Sequence, residues 1–273
     1  MKLSVGVWDA LSAKLAERAG FELLFLSGFA VAGTQLGEPD FGLLTQTETL
    51  QMARRIVAAV RTPLIVDGDT GHGGPLNVQR LVRELVRMGA AGVLLEDQVW
   101  PKRCGHMRDK QVIPAEEHVQ KLRAAVDARG SARLTIVGRT DARGPLGLDE
   151  AIRRGRLYRE AGADLIFVEA PTSREELARV GRELPGPLMA NMVEGGVTPI
   201  LPLDELRGLG FEYVVYPLTG LLCAARALER AFRELLAKGI SRSDDEARMS
   251  FAEFTSLVGL DEKYAAAERY KVS

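Results

Sequence analysis

The stretch Ala91-Gly92-Val93-Leu94-Leu95-Glu96-Asp97-Gln98-Val99-Trp100-Pro101-Lys102-Arg103-Cys104-Gly105-His106-Met107 changes character once, at Glu96. A short apolar run that ends abruptly in charge reads as a strand buried on both faces, the pattern of a parallel sheet. Residues 91–95 are therefore expected to be a strand and the rest a loop. That loop gathers acid, base, thiol and imidazole within a dozen residues. Loops held on a rigid scaffold are where reactive groups concentrate.

Working outward, the same unit recurs: helix, glycine, short turn, apolar run, polar residue. Segment 19–26 (Ala-Gly-Phe-Glu-Leu-Leu-Phe-Leu) resembles 161–168 (Ala-Gly-Ala-Asp-Leu-Ile-Phe-Val). Strands are expected at 3–7, 21–26, 63–66, 91–95, 134–137, 165–168, 187–190 and 213–216. Helices are expected at 10–19, 47–60, from Pro75, and at 114–129, 148–161, 174–184, 204–209 and 220–238. Between 28 and 46 a Gly-rich loop is expected. Strands alternating with helices imply right-handed crossovers and a parallel sheet. Eight strands in this length suit an α/β fold of the (β/α)8 barrel type. A doubly wound sheet is the alternative, but no Gly-x-Gly-x-x-Gly follows the first strand. The division expected is a barrel over 1–240 and a polar helical tail over 241–273.

The 273 residues are 46% hydrophobic and 27% charged, ordinary for a globular enzyme, with a formal net charge of −1. That balance gives no reason to expect nucleic acid or an anionic membrane as partner. No run approaches membrane-spanning length and no leader pattern opens the chain, so a soluble cytoplasmic protein is expected. Cys104 and Cys223 lie in unlike settings, which argues against a disulfide. Cys223, within Leu221-Leu222-Cys223-Ala224-Ala225, reads as core.

On a barrel, Asp9, Ser27, Asp67, Asp69, Glu96, Asp97, Arg139, Glu169, Asn191 and Thr219 would each stand just past a strand's C-terminal end, where barrel enzymes build their sites. Asp67, Asp69 and Glu96 would crowd together, and a hard cation such as Mg2+ or Mn2+ would relieve their repulsion. The alternative is that Asp69 and Thr70 cap the next helix while Asp67 pairs with Arg139. His72 reads as a hydrogen-bonding loop residue. Cys104, between Lys102-Arg103 and Gly105-His106, sits in a field expected to favour thiolate, and could act as nucleophile or general acid. Arg139 is a natural carboxylate or phosphate binder. Lys102 could equally be a solvated loop charge, and Phe29 and Trp100 either pocket walls or core.

Ser27-Gly28, Asp67-Gly68-Asp69-Thr70-Gly71, Glu96-Asp97-Gln98, Lys102-Arg103-Cys104-Gly105-His106, Arg139-Thr140-Asp141, Glu169-Ala170 and Asn191-Met192 together resemble the isocitrate lyase/phosphoenolpyruvate mutase superfamily. The Lys-Arg-Cys-Gly-His run is the mark of its lyase branch. The resemblance implies a Mg2+ (or Mn2+) ion held by Asp67, Asp69 and Glu96, with Asp40 in the set. It implies substrate contacts from Ser27, Gly28, Phe29, Cys104, Gly105, Arg139, Glu169, Asn191 and Pro217. Catalysis would fall to Cys104, Arg139, Glu169, His106 and Lys102, on a loop that closes over the substrate. The implied reaction is retro-aldol (Claisen-type) cleavage of a 2-hydroxy dicarboxylate, and the implied assembly a homotetramer built from helix-swapped dimers. Tricarboxylate-cleaving members carry an arginine soon after a tail methionine. Here Met249-Ser250-Phe251-Ala252-Glu253-Phe254 has none. A 2-alkyl or 2,3-dialkyl malate such as 2,3-dimethylmalate is the substrate the resemblance favours. The alternatives are oxaloacetate hydrolysis, 2-methylisocitrate cleavage and a P–C bond mutase.

Overall fold

The computed structural model describes residues 1–107, 109–241 and 248–271. Its strands are β1 (Lys2–Val7), β2 (Leu24–Leu26), β3 (Leu64–Asp67), β4 (Gly92–Glu96), β5 (Thr135–Thr140), β6 (Leu165–Val168), β7 (Leu188–Asn191) and β8 (Tyr213–Tyr216). They pair in parallel in chain order, and β8 closes on β1 with Lys2 opposite Tyr213 and Val5 opposite Tyr216. The chain is thus the expected (β/α)8 barrel, and the doubly wound sheet is excluded.

The helices are α1 (Ala10–Arg18), α2 (Gly28–Val31), α3 (Gln46–Ala59), α4 (Pro75–Met88), α5 (Ala115–Arg129), α6 (Arg143–Leu146), α7 (Leu148–Glu160), α8 (Arg174–Glu183), α9 (Leu203–Gly208), α10 (Thr219–Lys238), α11 (Phe251–Leu257) and α12 (Leu260–Glu268). α4 shows how local sequence sets them. Pro75 opens its first turn, where a missing N–H is harmless. Val78, Leu81, Val82 and Leu85 form the buried stripe, and Gly89 at φ 82° ends it.

Side chains alternate across a strand, so each strand feeds two cores. Leu64, Val66, Val93, Leu95, Ile136 and Ile166 pack outward beneath the helices. Phe25, Ile65, Leu94, Val137, Leu165, Phe167, Met189 and Val215 fill the barrel interior. The next inward positions along β2 to β8 are Ser27, Asp67, Glu96, Arg139, Glu169, Asn191 and Pro217. Strand parity, carried past the apolar plug, delivers these residues to the mouth.

Two expectations change. Residues 28–36 are not a loop: α2 continues into a π-helical turn over Ala32–Leu36, with Ser27 Oγ accepting from the Ala30 N–H at 3.3 Å as cap. The glycines at 28 and 33 had masked a helical segment that buries Ala30, Val31 and Ala32. Cys223 is exposed rather than core, because α10 buries none of its residues within this chain.

By compactness the chain divides into Met1–Leu221, which holds the barrel, and Leu222–Ser273, which holds most of α10 with α11 and α12. Residues 242–247 and 272–273 of the expected tail lie outside the described residues. No helix among the described residues is long and apolar enough to cross a membrane.

Candidate active site

The acidic side of the mouth is built from β3, β4 and the segment after α2. Asp67 Oδ2 accepts from the Gly28 N–H at 3.3 Å and Oδ1 from the Asp69 N–H at 3.2 Å. Asp69 sits in the left-handed region at φ 49°, a conformation that stores strain and is common at working sites. Lys102 Nζ lies 2.6 Å from Asp40 Oδ1 and 2.6 Å from Asp69 Oδ1, with the lysine side chain only 3% exposed. Lys102 is therefore no solvated loop charge. Nor do Asp69 and Thr70 cap a helix, since α4 begins at Pro75 with Gly74 before it.

Burial pushes the Asp69 carboxyl up to about 7; Lys102 opposes that, while Asp67 and Asp40 add to it. Burial likewise raises Glu96 well above the carboxylate range, against the pull of Arg139. Glu96 Oε1 is buried with no hydrogen-bond donor. Crowded, under-compensated oxygen donors of this kind fit a hard divalent cation chemically. Among the described residues, however, no three His, Cys, Asp or Glu side chains stand ready as a metal cage. The Lys102 ammonium is the cation between Asp40 and Asp69.

The opposite side is basic at its centre. Arg139 gives Asp141 two bonds, Nε to Oδ2 at 2.8 Å and Nη2 to Oδ1 at 3.1 Å. Its Nη1 is 3.4 Å from Glu96 Oε2, its Nε 3.8 Å from Glu169 Oε2, and its guanidinium lies over the Phe167 ring. These partners replace the Asp67–Arg139 pair considered from sequence. Burial alone would raise Glu169, but Arg139 and His106 outweigh it and hold the carboxyl below its ordinary value. His106 Nε2 is 2.9 Å from Glu169 Oε1, while the Val197 N–H donates to Nδ1 at 3.1 Å. That donor leaves the ring proton on Nε2, aimed at Glu169. Asn191 Nδ2 reaches both Glu169 oxygens at 3.3 Å.

The loop carrying Cys104 is closed over this mouth. Its ends are tied by an antiparallel bridge between Gln98 and Val112. The Gln98 side chain brackets Arg103, accepting from its N–H at 3.0 Å and donating to its carbonyl at 2.8 Å. The Cys104 N–H donates to the Asp40 carbonyl at 3.1 Å. A Cβ on Gly105 would come within 2.5 Å of Arg139 Nη2 and of Glu169, so only glycine lets the loop descend this far.

Ser27, Phe29, Asp40, Asp67, Lys102, Cys104, Gly105, His106, Arg139, Glu169, Asn191 and Pro217 line the resulting cavity, of about 40 Å³. Gly28, Asp69 and Glu96 stand outside that lining and contact Asp67, Lys102 and Arg139. Phe25, Phe167, Val193, Val215 and Leu218 supply an apolar wall that sequence reading had not assigned. Strand parity could have found Phe25, Phe167 and Val215.

Several expectations are corrected. The thiolate-favouring field expected at Cys104 is outweighed: burial pushes the thiol up to about 11 despite the His106 N–H, and Asp40 and Glu169 add to the rise while Arg139 opposes it. Lys102 and Arg103 are adjacent in sequence, but Lys102 spends its charge on Asp40 and Asp69. Asp97 points outward, accepting from Thr140 Oγ1, the Asp141 N–H, Arg154 and Tyr158 at 2.6–2.9 Å. Asp9 caps α1. His72 Nε2 is buried without a hydrogen-bond partner, and Trp100 beside it is 44% exposed and lies outside the cavity lining. Asp141, not assigned a role from sequence, is what holds Arg139.

Fold and mouth together define a (β/α)8-barrel enzyme whose chemistry is enclosed beneath a closing loop at the C-terminal ends of the strands. The chain belongs to the phosphoenolpyruvate phosphomutase family, whose model matches residues 3–236. It is 50% identical to the petal death protein of Dianthus caryophyllus over 98% of this chain and 85% of that one. It is 48% identical to the chloroplastic carboxyvinyl-carboxyphosphonate phosphorylmutase of Arabidopsis thaliana over 98% of this chain and 80% of that one. To the 2,3-dimethylmalate lyase of Eubacterium barkeri it is 42% identical, over 96% and 90%. A crystal structure of 2,3-dimethylmalate lyase, described as a PEP mutase/isocitrate lyase superfamily member, superposes with a TM-score of 0.93 at 36% identity, covering 98% and 90%. A phosphonopyruvate hydrolase complexed with oxalate and Mg++ superposes with a TM-score of 0.88 at 30% identity, covering 99% and 94%. The enzyme is thus one of the carbon–carbon lyases and mutases of this superfamily.

Proposed function

We propose that this enzyme is a Mg2+-dependent carbon–carbon lyase that cleaves a 2-alkyl or 2,3-dialkyl malate, such as 2,3-dimethylmalate, to a 2-oxo acid and a carboxylate. The observation that carries the reading is the placement of Cys104, half-buried on the closed loop over a cavity with charge on one side and an apolar wall on the other, where desolvation and nearby carboxylates favour the protonated thiol. A thiol that keeps its proton at neutral pH is a general acid, not a nucleophile.

In the reaction the 2-hydroxyl gives its proton to a carboxylate on the acidic side of the mouth, the C2–C3 bond breaks as C2 becomes a carbonyl, and the electron pair left on C3 takes the Cys104 proton. After product release that carboxylate's proton exchanges back to the thiolate through water. Arg139 and Asn191 bind carboxylate oxygens, Ser27 lines the opposite end with Gly28 behind it holding Asp67, and the His106–Glu169 pair orients the loop's acid. Asp67, Asp69, Glu96 and Asp40 would hold the divalent ion, which when bound supplies positive charge for the developing 2-oxo acid. Loop closure keeps water from the carbanion. Among the described residues, the fixed cations on the cavity are Lys102 and Arg139, each already facing a carboxylate. A third substrate carboxylate therefore fits less well than an alkyl group against Phe29, Phe167, Val193 and Leu218. The solved phosphonopyruvate hydrolase complex with oxalate and Mg++ supports the ion.

The test is release of 2-oxo acid, with and without Mg2+, from 2,3-dimethylmalate, 2-methylisocitrate and oxaloacetate, beside Cys104→Ala. Pyruvate from 2,3-dimethylmalate, lost in the variant, is expected. Oxalate from oxaloacetate alone would move the enzyme to the hydrolases, and preference for 2-methylisocitrate would overturn the argument from the apolar wall. No turnover of any of the three would direct attention to phosphonates.

A further inference from the structure

Lys110 lies outside the cavity, yet it is buried. It follows Cys104 on the same loop, and its ammonium donates to Asp141 Oδ1 at 2.8 Å and to the Gly105 carbonyl oxygen. Asp141 also takes both bonds from Arg139. Its own backbone is pinned to the barrel by its N–H, which donates to Asp97 Oδ1 at 2.8 Å. One carboxylate at the end of β5 thus fastens the arginine of the mouth and, through Lys110, the loop residue between Cys104 and His106.

We propose that Lys110 is a positioning residue: paired with Asp141, it holds the Cys104-Gly105-His106 turn against Arg139 and Glu169, so that the thiol is presented to the substrate carbon. The loop has another cationic tie, Lys102 to Asp40 and Asp69, but that one engages the carboxylates a divalent ion would claim. Lys110 uses a carboxylate outside that set, so its hold survives metal binding. Gly105 has no side chain to anchor, and its carbonyl is the handle available at the turn.

The kinetic part of the test rests on the lyase reading; the loop part does not. In full-length protein carrying Cys223→Ser, Cys104 is the sole thiol, and its alkylation by iodoacetamide without substrate reports loop opening. Lys110→Met is expected to speed alkylation at least about tenfold, and Lys110→Arg to stay within about twofold of the parent. Both should remain folded by circular dichroism, with Lys110→Gln as a second neutral variant. On the alkylmalate, kcat should fall about 10- to 100-fold in Lys110→Met with KM changing little, the split expected of a misplaced acid. An unchanged alkylation rate in a folded neutral variant would overturn the proposal. So would equal acceleration in Lys110→Arg, or unfolding of both neutral variants, which would make Lys110 purely structural. Faster alkylation with no turnover in the parent would leave the latch standing and remove the lyase reading.

Discussion

At the scale of one residue, the chemistry depends on which form of Cys104 the protein stabilises. Desolvation and the nearby Asp40 and Glu169 disfavour charge on sulfur, and the thiol's affinity for its proton rises to about 11 from an ordinary 9.0. An acid must be protonated to work. Once the metal-binding carboxylates are ionised, activity is therefore expected to hold up to that value and to be lost as pH rises through about 11. A profile of kcat against pH checks this; an alkaline limb near 8 would mean that the thiol meets substrate in a more polar setting. Cys104→Ser keeps the shape but replaces the thiol by a far weaker acid, and kcat is expected to fall about 10²- to 10⁴-fold. Substrate affinity should barely move, because the carboxylate binders are untouched. If kcat survives within about threefold, Cys104 is not the proton donor.

At the scale of the element, β5 and α7 are locked by Asp97. Its carboxylate accepts from Tyr158 at 2.6 Å, Thr140 at 2.7 Å, the Asp141 N–H at 2.8 Å and Arg154 at 2.9 Å, all buried. Removing one member of such a network strands the others without water. Asp97→Ala is expected to cost about 3–5 kcal/mol in urea unfolding, the range for breaking a buried ion pair. A loss under about 1 kcal/mol would show that Arg154 simply turns to Glu150, already 2.9 Å from its Nε. The same elements show what a reader of the sequence can see. Apolar runs ending in single polar residues locate the strands and, through parity, place Ser27, Asp67, Glu96, Arg139, Glu169 and Asn191 in one mouth. Parity also decides that Glu96, the one placed in the metal set from sequence, faces that mouth while Asp97 beside it turns outward. The state of the Cys104 thiol is of another kind. It depends on Asp40, Arg139 and Glu169, distant in the chain and brought near by barrel closure and by the descent of Gly105. The helical segment after Ser27 is likewise set by tertiary burial of Ala30 and Val31, against the local signal of two glycines.

At the scale of the whole molecule, two properties should report the site and the tail. Asp69, raised to about 7, binds its proton more tightly folded than unfolded. Its contribution to stability is therefore present below pH 4 and lost as pH rises toward 7. A divalent ion held by the folded state would restore stability, by about 2.7 kcal/mol at a hundred times its Kd. The thermal midpoint is expected to rise with Mg2+, and to rise more at pH 8 than at pH 5; no rise at either pH would argue against a metal at these carboxylates. The second property is assembly. On α10, Leu228, Phe232, Leu235 and Leu236 recur at helical spacing, with Phe232 65% and Leu236 89% exposed. Phe251 and Phe254 on α11, with Val258 at its C-cap, repeat the pattern, all exposed. Faces this apolar are seldom left to water. We propose that another copy of the chain covers them, in a homotetramer of helix-exchanging dimers. Light scattering should then give a mass near four times 29.7 kDa. Phe232→Asp with Leu236→Asp should lower it toward a single chain while circular dichroism of the barrel persists, since both residues belong to the unit Leu222–Ser273 and not to the barrel's own. A wild-type mass of one chain at micromolar concentration would end the proposal and leave these faces for some other partner.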